Sequence, residues 1–319
     1  MTHTREFIDS GQPKTNVVMF HYVRQEFPVL GISGETIPDF RDLVETLIRH
    51  GTILEPSSFK FENAASGLPE GPIREALLTF DDALIDHASV VAPILKQYNL
   101  RGVFFVNSEQ YATHKLLRIH RWHSMRQQIL PLSLIESARR YLGDRQDAQV
   151  SVRASAAVRW DESELARTKY VFNYLLKPDE QEEFLNYLEV NFDITHPKFE
   201  ETYASEESLR RMIADGHFVC PHAHSHTSLA ILDEEALWRE IELNVDFVRS
   251  LGGETSFFAY PFGKAESFND GTRVQLLKAG IQAAFSSIPT SGIPVDPLAI
   301  PRLDPKDVNR RNRVNARKA

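Results

Sequence analysis

The stretch L-L-T-F-D-D at residues 77–82 decides how this sequence is interpreted. The apolar run Ala76–Phe80 has the length of a buried strand, and it ends in two adjacent carboxylates, Asp81 and Asp82. Such carboxylates are costly unless a metal ion or hydrogen bonds neutralise them. Because neighbouring residues on a strand point to opposite faces, one carboxylate can bind an ion while the other stays free. For either residue, capping the following helix is the alternative.

Further apolar runs of strand length lie on both sides of this stretch, and helix-forming segments separate them. The predicted strands are Asn16–Phe20, Ala76–Phe80, Gly102–Val106, His217–Cys220, Ser256–Ala259 and Ile281–Ser286. The predicted helices are Asp39–His50, Ser89–Tyr98, Glu234–Leu251 and Gly271–Ala279. This alternation predicts an α/β fold with a parallel sheet and crossover helices, either a barrel or a doubly wound sheet.

The alternation stops between about residues 108 and 205, where amphipathic helical segments such as Leu132–Leu142 and Asp179–Val190 follow one another. We expect one catalytic domain over residues 1–319 with a helical insertion here, and a separately folded insertion is the alternative. An insertion after a parallel strand lies where barrel active sites are found, so it is expected to shape the substrate site. Residues 306–319 form a basic tail, either a frayed terminus or a contact for an acidic partner or membrane surface.

The composition is that of an ordinary globular protein. Of 319 residues, 42% are hydrophobic and 25% are charged, which argues against a disordered chain, a collagen-like repeat or a coiled coil. The formal net charge of −8 disfavours a general nucleic-acid binder. The single cysteine, Cys220, excludes an intramolecular disulfide and a Cys-based zinc cluster. Since neither a signal peptide nor a transmembrane segment is recognisable, we expect a soluble, cytoplasmic protein; its oligomeric state is left open.

A second informative segment is V-C-P-H-A-H-S-H-T-S-L at residues 219–229, directly after a predicted strand. In an extended chain His222, His224 and His226 point the same way, and in a helical turn His222 and His226 converge. Imidazole is a common ligand of zinc and similar ions, so the H-x-x-x-H pair predicts two metal ligands on one short segment. A polar loop that is rich in histidine is the alternative.

A third segment, F-F-A-Y-P-F-G at residues 257–263, leads from a predicted strand into a turn. Pro261 and Gly263 flank Phe262 and can aim its backbone N–H into a cleft as an oxyanion donor. Taken alone, the segment is more typical of a plain turn.

In this order, the three segments resemble the polysaccharide deacetylase family, metal-dependent carbohydrate esterases on a distorted, partly open (β/α) barrel. T-F-D-D at residues 79–82 resembles the first motif of the family, H-A-H-S-H-T-S-L at 222–229 the second, and A-Y-P-F-G at 259–263 the third. The resemblance covers about residues 16–107 and 203–303 and implies that barrel as the fold, with the helical insertion added.

The resemblance also implies a role for each matching residue. Asp82, His222 and His226 would bind the metal and leave positions open for water and substrate, as a catalytic site requires. Asp81 would be the general base that takes a proton from water, and the Phe262 N–H would help to hold the oxyanion. The metal is expected to be zinc, although the same ligands accept cobalt, nickel or manganese.

The sequence departs from the family pattern at three places. Ala83 stands where the family often has glycine, which is expected to alter only the local turn. Ala259 stands where an arginine often orients the base, and Arg302 is the candidate replacement, unless it is a surface arginine. No histidine follows His226, although the family commonly ends with a strand that carries a general-acid histidine. Some relatives resemble a circular permutation that moves this strand to the N-terminus, so His21 is the candidate acid, with a core or capping histidine as the alternative.

Other histidines have less definite interpretations. His224 lies between the two candidate imidazole ligands and is expected to be structural rather than a third ligand. His114, His120 and His123 lie in the insertion, where they predict either contacts with a charged or sugar portion of the substrate or a second metal site.

These observations predict a metal-dependent N-deacetylase that acts on an acetylated amino sugar. In a cytoplasmic protein, a nucleotide-linked, lipid-linked or other precursor of a surface glycan is the expected substrate rather than an assembled polymer. Hydrolysis of another amide or of an O-acetyl ester by the same metal site is the nearest alternative. A carbohydrate-binding protein that has lost turnover is the alternative of another class.

Overall fold

The computed structural model describes residues 14–69, 71–143, 163–289 and 295–308. In these ranges the strands are β1 (Thr15–Phe20), β2 (Val23–Arg24), β3 (Glu35–Thr36), β4 (Thr52–Ile53), β5 (Glu75–Asp81), β6 (Val103–Val106), β7 (Phe218–Pro221), β8 (Phe257–Ala259), β9 (Ala283–Ser286) and β10 (Ile300–Leu303). The α-helices there are α1 (Ile37–His50), α2 (Ala92–Gln97), α3 (Glu109–Thr113), α4 (Arg118–Gln128), α5 (Pro131–Leu142), α6 (Ser163–Tyr170), α7 (Pro178–Asn191), α8 (Phe199–Thr202), α9 (Glu206–Ala214), α10 (Glu234–Leu251) and α11 (Asp270–Lys278). Part of the predicted insertion, residues 144–162, and most of the predicted basic tail, residues 309–319, lie outside the described residues. Within the described ranges, every helix is too short or too polar to cross a bilayer.

Seven parallel strands form a nearly closed, barrel-like sheet in the order β7-β6-β5-β1-β10-β9-β8, and β4 pairs with the start of β5. The end strands β7 and β8 approach each other closely, since the Phe218 and Phe257 rings lie 5.9 Å apart. The predicted (β/α) barrel is therefore confirmed, and the doubly wound alternative is wrong. The N-terminal strand β1 lies between β5 and β10, where the permuted arrangement places it.

Alternate residues of the strands fill two apolar layers. Val17, Leu77, Phe105 and Phe285 belong to a cluster in which side chains from all seven sheet strands meet. The neighbouring positions in β1, β5, β6 and β7 belong to a second cluster, formed with the apolar faces of α1, α2, α9 and α10, and those in β8 and β9 pack against α10 and α11. Because both faces of the sheet are covered, its strands read as continuous apolar runs rather than as alternating ones.

The predicted elements are all present, with ends that shift by one or two residues. The predicted helix Ser89–Tyr98 is a π-helical segment, His87–Val91, that continues into α2. The sequence does not predict β10, because Pro301 lies inside it and a proline argues against a strand. The two-residue strands β2, β3 and β4 are also too short to leave a periodic signal.

The described part of the insertion builds its own apolar cluster at the carboxyl ends of the strands. Trp122 of α4 stacks on Phe172 with ring centroids 4.7 Å apart, and side chains of α5 and α7 surround them. Tyr203 and Phe262 join this cluster, which ties the insertion to the third motif. The division of the chain into one catalytic domain with an insertion stays a prediction.

Candidate active site

Strand register brings the predicted site residues to one edge of the barrel. Phe20 of β1 pairs with Phe80 of β5, so His21 and Asp81 lie side by side in the next register position. In the same way Val106 of β6 pairs with Pro221 of β7, which places His222 at the same edge. The carboxyl ends of parallel barrel strands are where such folds carry their sites.

Each of the three motifs turns through a left-handed backbone conformation just beyond its strand. The φ angle is +84° at Asp82 and +53° at Ala83, +56° at His226, and +61° at Ala223 and Phe262. Non-glycine residues seldom adopt such angles, and they cluster at sites where the surroundings enforce them. Ala83 thus occupies a turn conformation for which glycine is better suited, in agreement with the family pattern.

Asp82, His222 and His226 form a buried group that fits a metal ion. One ligand atom from each lies within 4.8 Å of the other two. Asp82 Oδ1 lies 3.4 Å from His222 Nε2 and 3.2 Å from His226 Nε2. These separations match the roughly 3.3 Å between ligands that zinc bonds of about 2.0–2.1 Å produce in a tetrahedral site. Burial alone would raise the pKa of Asp82, but the neighbouring imidazoles, the charge of His226 foremost, hold it well below its usual value.

A backbone carbonyl behind His222 sets the tautomer of its neutral imidazole. His222 Nδ1 lies 2.7 Å from the Ala259 carbonyl oxygen, which can only accept, so Nδ1 carries the hydrogen. His222 Nε2 then presents a lone pair to Asp82 Oδ1, and both atoms are buried with no hydrogen-bond partner among the described residues. Two facing acceptors without a shared hydrogen need a cation between them, and a backbone carbonyl behind a metal-binding imidazole is typical of metal sites. The residues therefore fit a divalent metal.

Two buried asparagines, which the sequence analysis does not single out, hold the backbone of the second motif. Asn107 Nδ2 donates to the carbonyl oxygens of His222 at 2.6 Å and Ala223 at 3.1 Å. Asn244 of α10 accepts from the His222 N–H at 2.7 Å and donates to the Val106 carbonyl oxygen at 3.0 Å. The available signal for Asn244 is a polar residue on the apolar face of an amphipathic helix.

Arg302 of β10 forms a bidentate ion pair with Asp81, and both side chains are buried. Nη1 lies 2.7 Å from Asp81 Oδ1, and Nη2 lies 2.7 Å from Oδ2. Burial would raise the pKa of Asp81, but the Arg302 guanidinium together with His222 and His21 lowers it instead. The guanidinium thus keeps Asp81 ionised and fixes the plane of its carboxylate, as expected of a replacement for the arginine that is absent at Ala259. The alternative that Arg302 is a surface arginine is wrong, because its side chain is buried.

His21 lies beside the same carboxylate and is open to solvent. Its Nε2 is 3.8 Å from Asp81 Oδ2, and its side chain is 38% exposed. The buried His87 donates from Nε2 to the His21 carbonyl oxygen at 2.9 Å and holds the turn after β1. A cavity of about 240 Å³ opens here, and His21, Tyr22, His123 and Arg126 contribute to its walls. His21 is therefore a solvent-accessible imidazole next to the candidate base rather than a core histidine.

Phe262 occupies a tight turn against the second motif. The Gly263 N–H donates to the Pro261 carbonyl oxygen at 2.7 Å, and Ser287 Oγ donates to the Phe262 carbonyl oxygen at 2.7 Å. The Phe262 ring packs edge-on against His226 with centroids 4.8 Å apart. Among the described residues, no acceptor takes a hydrogen bond from the Phe262 N–H, which leaves it available as a donor.

The remaining histidines divide into structural and site-facing ones. His224 turns away from the other two, with Nδ1 2.8 Å from Ser108 Oγ. In the insertion, His114 is exposed beside Glu200, and His123 Nδ1 lies 3.1 Å from the Tyr22 hydroxyl. His120 is buried, with Nε2 3.5 Å from Asp82 Oδ2. Within the described residues, the second metal site that these histidines could predict does not form, since the candidate ligands cluster only around Asp82.

Comparison with known proteins identifies the family signature. Residues 168–284 match the family model described as polysaccharide deacetylase. The resemblance to the polysaccharide deacetylase family is confirmed. The matched stretch contains the second and third deacetylase motifs, and the first motif lies before it. No curated relative matches the chain in sequence.

Solved deacetylase structures share the fold over most of the chain. The deacetylase PplD of Streptococcus pyogenes, in complex with acetate, is 15% identical with a TM-score of 0.54 and covers 94% of this chain and 98% of its own. The BpsB deacetylase domain of Bordetella bronchiseptica is 13% identical with a TM-score of 0.52, and the match covers 92% of this chain and 95% of that domain. A de-N-acetylase of Aggregatibacter actinomycetemcomitans is 12% identical with a TM-score of 0.51, and the match covers 93% of this chain and 98% of that protein. These matches support the deacetylase barrel as the fold.

Proposed function

We propose that this chain is a metal-dependent hydrolase that removes an N-acetyl group from an amino sugar. The family and fold support carbohydrate deacetylation by hydrolysis. The observation that carries the finer proposal is the buried Asp82, His222 and His226 group beside Asp81, whose carboxylate Arg302 holds in a bidentate ion pair.

Asp82, His222 and His226 would hold a divalent cation, with zinc as the first choice and cobalt, nickel or manganese as alternatives. When bound, this cation supplies Lewis-acid polarisation of the acetyl carbonyl and lowers the pKa of water. The Ala259 carbonyl oxygen keeps His222 in the ligating tautomer, as its 2.7 Å contact with Nδ1 requires.

The other residues of the site move protons and hold charge. Asp81 takes a proton from the attacking water while Arg302 keeps its carboxylate in one orientation. Water oxygen adds to the acetyl carbon, and the Phe262 N–H donates to the resulting oxyanion. The C–N bond then breaks, and His21 gives a proton to the leaving amine, so that acetate and the free amino sugar result.

Acetate release from a panel of N-acetylated sugars and sugar nucleotides, with added Zn²⁺ or Co²⁺, tests this proposal. Asp81→Asn is the matched variant, because it removes the base and leaves the three metal ligands in place. We expect release by the wild-type chain and a loss of about a hundredfold or more in the variant. Metal binding without release from any member of the panel would contradict N-deacetylation.

The substrate and the cellular location are finer parts of the same proposal. We propose a cytoplasmic enzyme acting on a precursor of a surface glycan, and faster turnover of polymeric chitin or peptidoglycan than of any small precursor would contradict this. O-acetyl esters and other amides belong in the same panel, because the same site could hydrolyse them. Sugar binding without acetate release would instead favour a carbohydrate-binding protein.

A further inference from the structure

His120 of the insertion reaches the candidate metal centre from outside the three motifs. Its side chain is buried, and its Nε2 lies 3.5 Å from Asp82 Oδ2. The other carboxylate oxygen, Oδ1, is the one that faces His222 and His226, at 3.4 and 3.2 Å. The two oxygens of Asp82 therefore have different neighbours: Oδ1 faces the two candidate imidazole ligands, and Oδ2 faces His120.

Tyr203 decides which nitrogen of His120 carries the proton. The Leu117 N–H donates to the Tyr203 phenol oxygen at 3.0 Å, and the same oxygen lies 2.6 Å from His120 Nδ1. With its oxygen already accepting from Leu117, the phenol has its own hydrogen to give to Nδ1. A neutral imidazole whose Nδ1 accepts carries its proton on Nε2. This nitrogen is buried without a hydrogen-bond partner among the described residues, and the carboxylate oxygen beside it is Asp82 Oδ2, at 3.5 Å.

We propose that His120 is a positioning residue that holds Oδ2 of Asp82 through its Nε2–H and so keeps Oδ1 aimed at the two candidate imidazole ligands. The inference rests on the proposed function, since it gives His120 a role only if Asp82 binds a metal. Partners that orient a ligand from behind typically contribute tenfold to a hundredfold to metal affinity. His120 is 3% exposed, in line with the buried centre that it adjoins.

Helix α4, which carries His120, is held in place by contacts on both sides of that residue. Arg118, two residues before His120, donates from Nη2 to Thr227 Oγ1 of the second motif at 2.9 Å. Trp122, two residues after it, is stacked in the apolar cluster of the insertion. The helix is thus fixed on both sides of His120, and the insertion completes the centre that the barrel motifs begin.

Cobalt binding to the metal-free protein tests the proposal, with the dissociation constant and the visible absorption spectrum of Co²⁺ as readouts. We expect His120→Ala to weaken Co²⁺ binding about tenfold to a hundredfold. The spectrum of the saturated protein should keep its shape, because no ligand is lost. His120→Gln, whose amide can still donate, should recover part of the affinity. Tyr203→Phe should weaken binding less than His120→Ala, and thermal unfolding without metal verifies that each variant folds.

His114→Asn is the matched control, since it removes an exposed insertion imidazole and tolerates the left-handed backbone at that position, where φ is +57°. Its Co²⁺ affinity should equal that of the wild type. Equal affinities of wild type and His120→Ala would overturn the inference and leave the proposed function intact. A changed spectrum in His120→Ala would also overturn it, because His120 would then be a ligand itself. Failure of the wild-type protein to bind Co²⁺ would overturn the proposed function and the inference with it.

Discussion

Arg302 and Asp81 form a buried ion pair whose removal has a predictable cost. Both guanidinium contacts are 2.7 Å, and neither side chain is more than 2% exposed. Arg302→Met leaves a buried carboxylate unpaired, so we expect a loss of about 3–5 kcal/mol in the free energy of unfolding, measured with urea. Arg302→Lys keeps the charge but cannot reproduce the two parallel hydrogen bonds. We expect it to lower kcat by roughly tenfold to a hundredfold with Co²⁺ affinity unchanged.

A double-mutant cycle separates this ion pair from general damage to the barrel. In the Asp81→Asn background, Arg302→Met should cost clearly less unfolding free energy than in the wild type, because the carboxylate that it would leave unpaired is gone. Equal costs in the two backgrounds would contradict the coupling, and an unchanged kcat in Arg302→Lys would contradict the orienting role.

At the residue level, the sequence predicts the candidates of the three motifs, and the structure brings them together. Asp82, His222 and His226 come from short segments at strand ends, so the topology of a parallel barrel is sufficient to place them near one another. His120 could not be assigned in this way, because its approach to Asp82 depends on how the insertion packs. Asn244 is likewise set by tertiary packing, since only the position of α10 against β6 and β7 explains a buried amide.

At the level of elements, the turn after β8 depends on one glycine. Gly263 has a φ of +64°, and an added Cβ would lie 2.5 Å from the backbone nitrogen of Ser287. Gly263→Ala therefore has to displace the turn that carries Phe262. We expect a loss of more than about 2 kcal/mol in the free energy of unfolding, from left-handed strain and the backbone clash together. Acetate release should fall with it, because the Phe262 N–H moves.

Gly252, which ends α10, is the matched control for this substitution. Its φ is +83°, also left-handed, but an added Cβ would meet nothing within 4 Å. Gly252→Ala should cost only the conformational strain of about 1 kcal/mol and leave turnover unchanged. If Gly263→Ala retained full turnover, the turn would not be needed to place the oxyanion donor.

The elements of the barrel were predictable where the chain carries a continuous apolar or amphipathic signal. Helix α10 begins and ends at the predicted residues, Glu234 and Leu251, because Asp233 caps its start and Gly252 its end. Strand β10 was missed because Pro301 argues locally against a strand. The strand forms nevertheless, since β1 pairs with it on one side and β9 on the other. The strand thus depends on non-local pairing that the sequence pattern does not reveal.

At the level of the whole molecule, the right-handed crossover rule limits the orders of seven parallel strands but allows both a closed barrel and a doubly wound sheet. The place of β1 between β5 and β10 was predictable only through the family resemblance, since the apolar run itself fits any interior strand. No comparable rule predicts how the insertion packs over this barrel, because helix–helix contacts depend on the shapes of individual side chains.

The stability of the whole molecule should depend on pH through His217, which lies between β6 and β7. This imidazole is buried, and its Nδ1 accepts the Gly102 N–H at 3.1 Å. Burial, helped by the charge of Arg101, lowers the pKa of His217 from 6.5 to about 4. Between these values the unfolded chain binds the proton and the folded chain does not, so the free energy of unfolding falls as the pH drops from 6.5 towards 4. The contribution lost is up to about 3 kcal/mol.

Urea denaturation at several pH values measures this effect with two substitutions. His217→Asn keeps an acceptor for the Gly102 N–H but cannot take up the proton, so its unfolding free energy should fall less steeply below pH 6.5 than that of the wild type. His50→Asn, which replaces an exposed imidazole at the end of α1, should leave the wild-type slope unchanged. If His217→Asn and the wild type lost stability in parallel, the buried imidazole would not be the group that links folding of this barrel to pH.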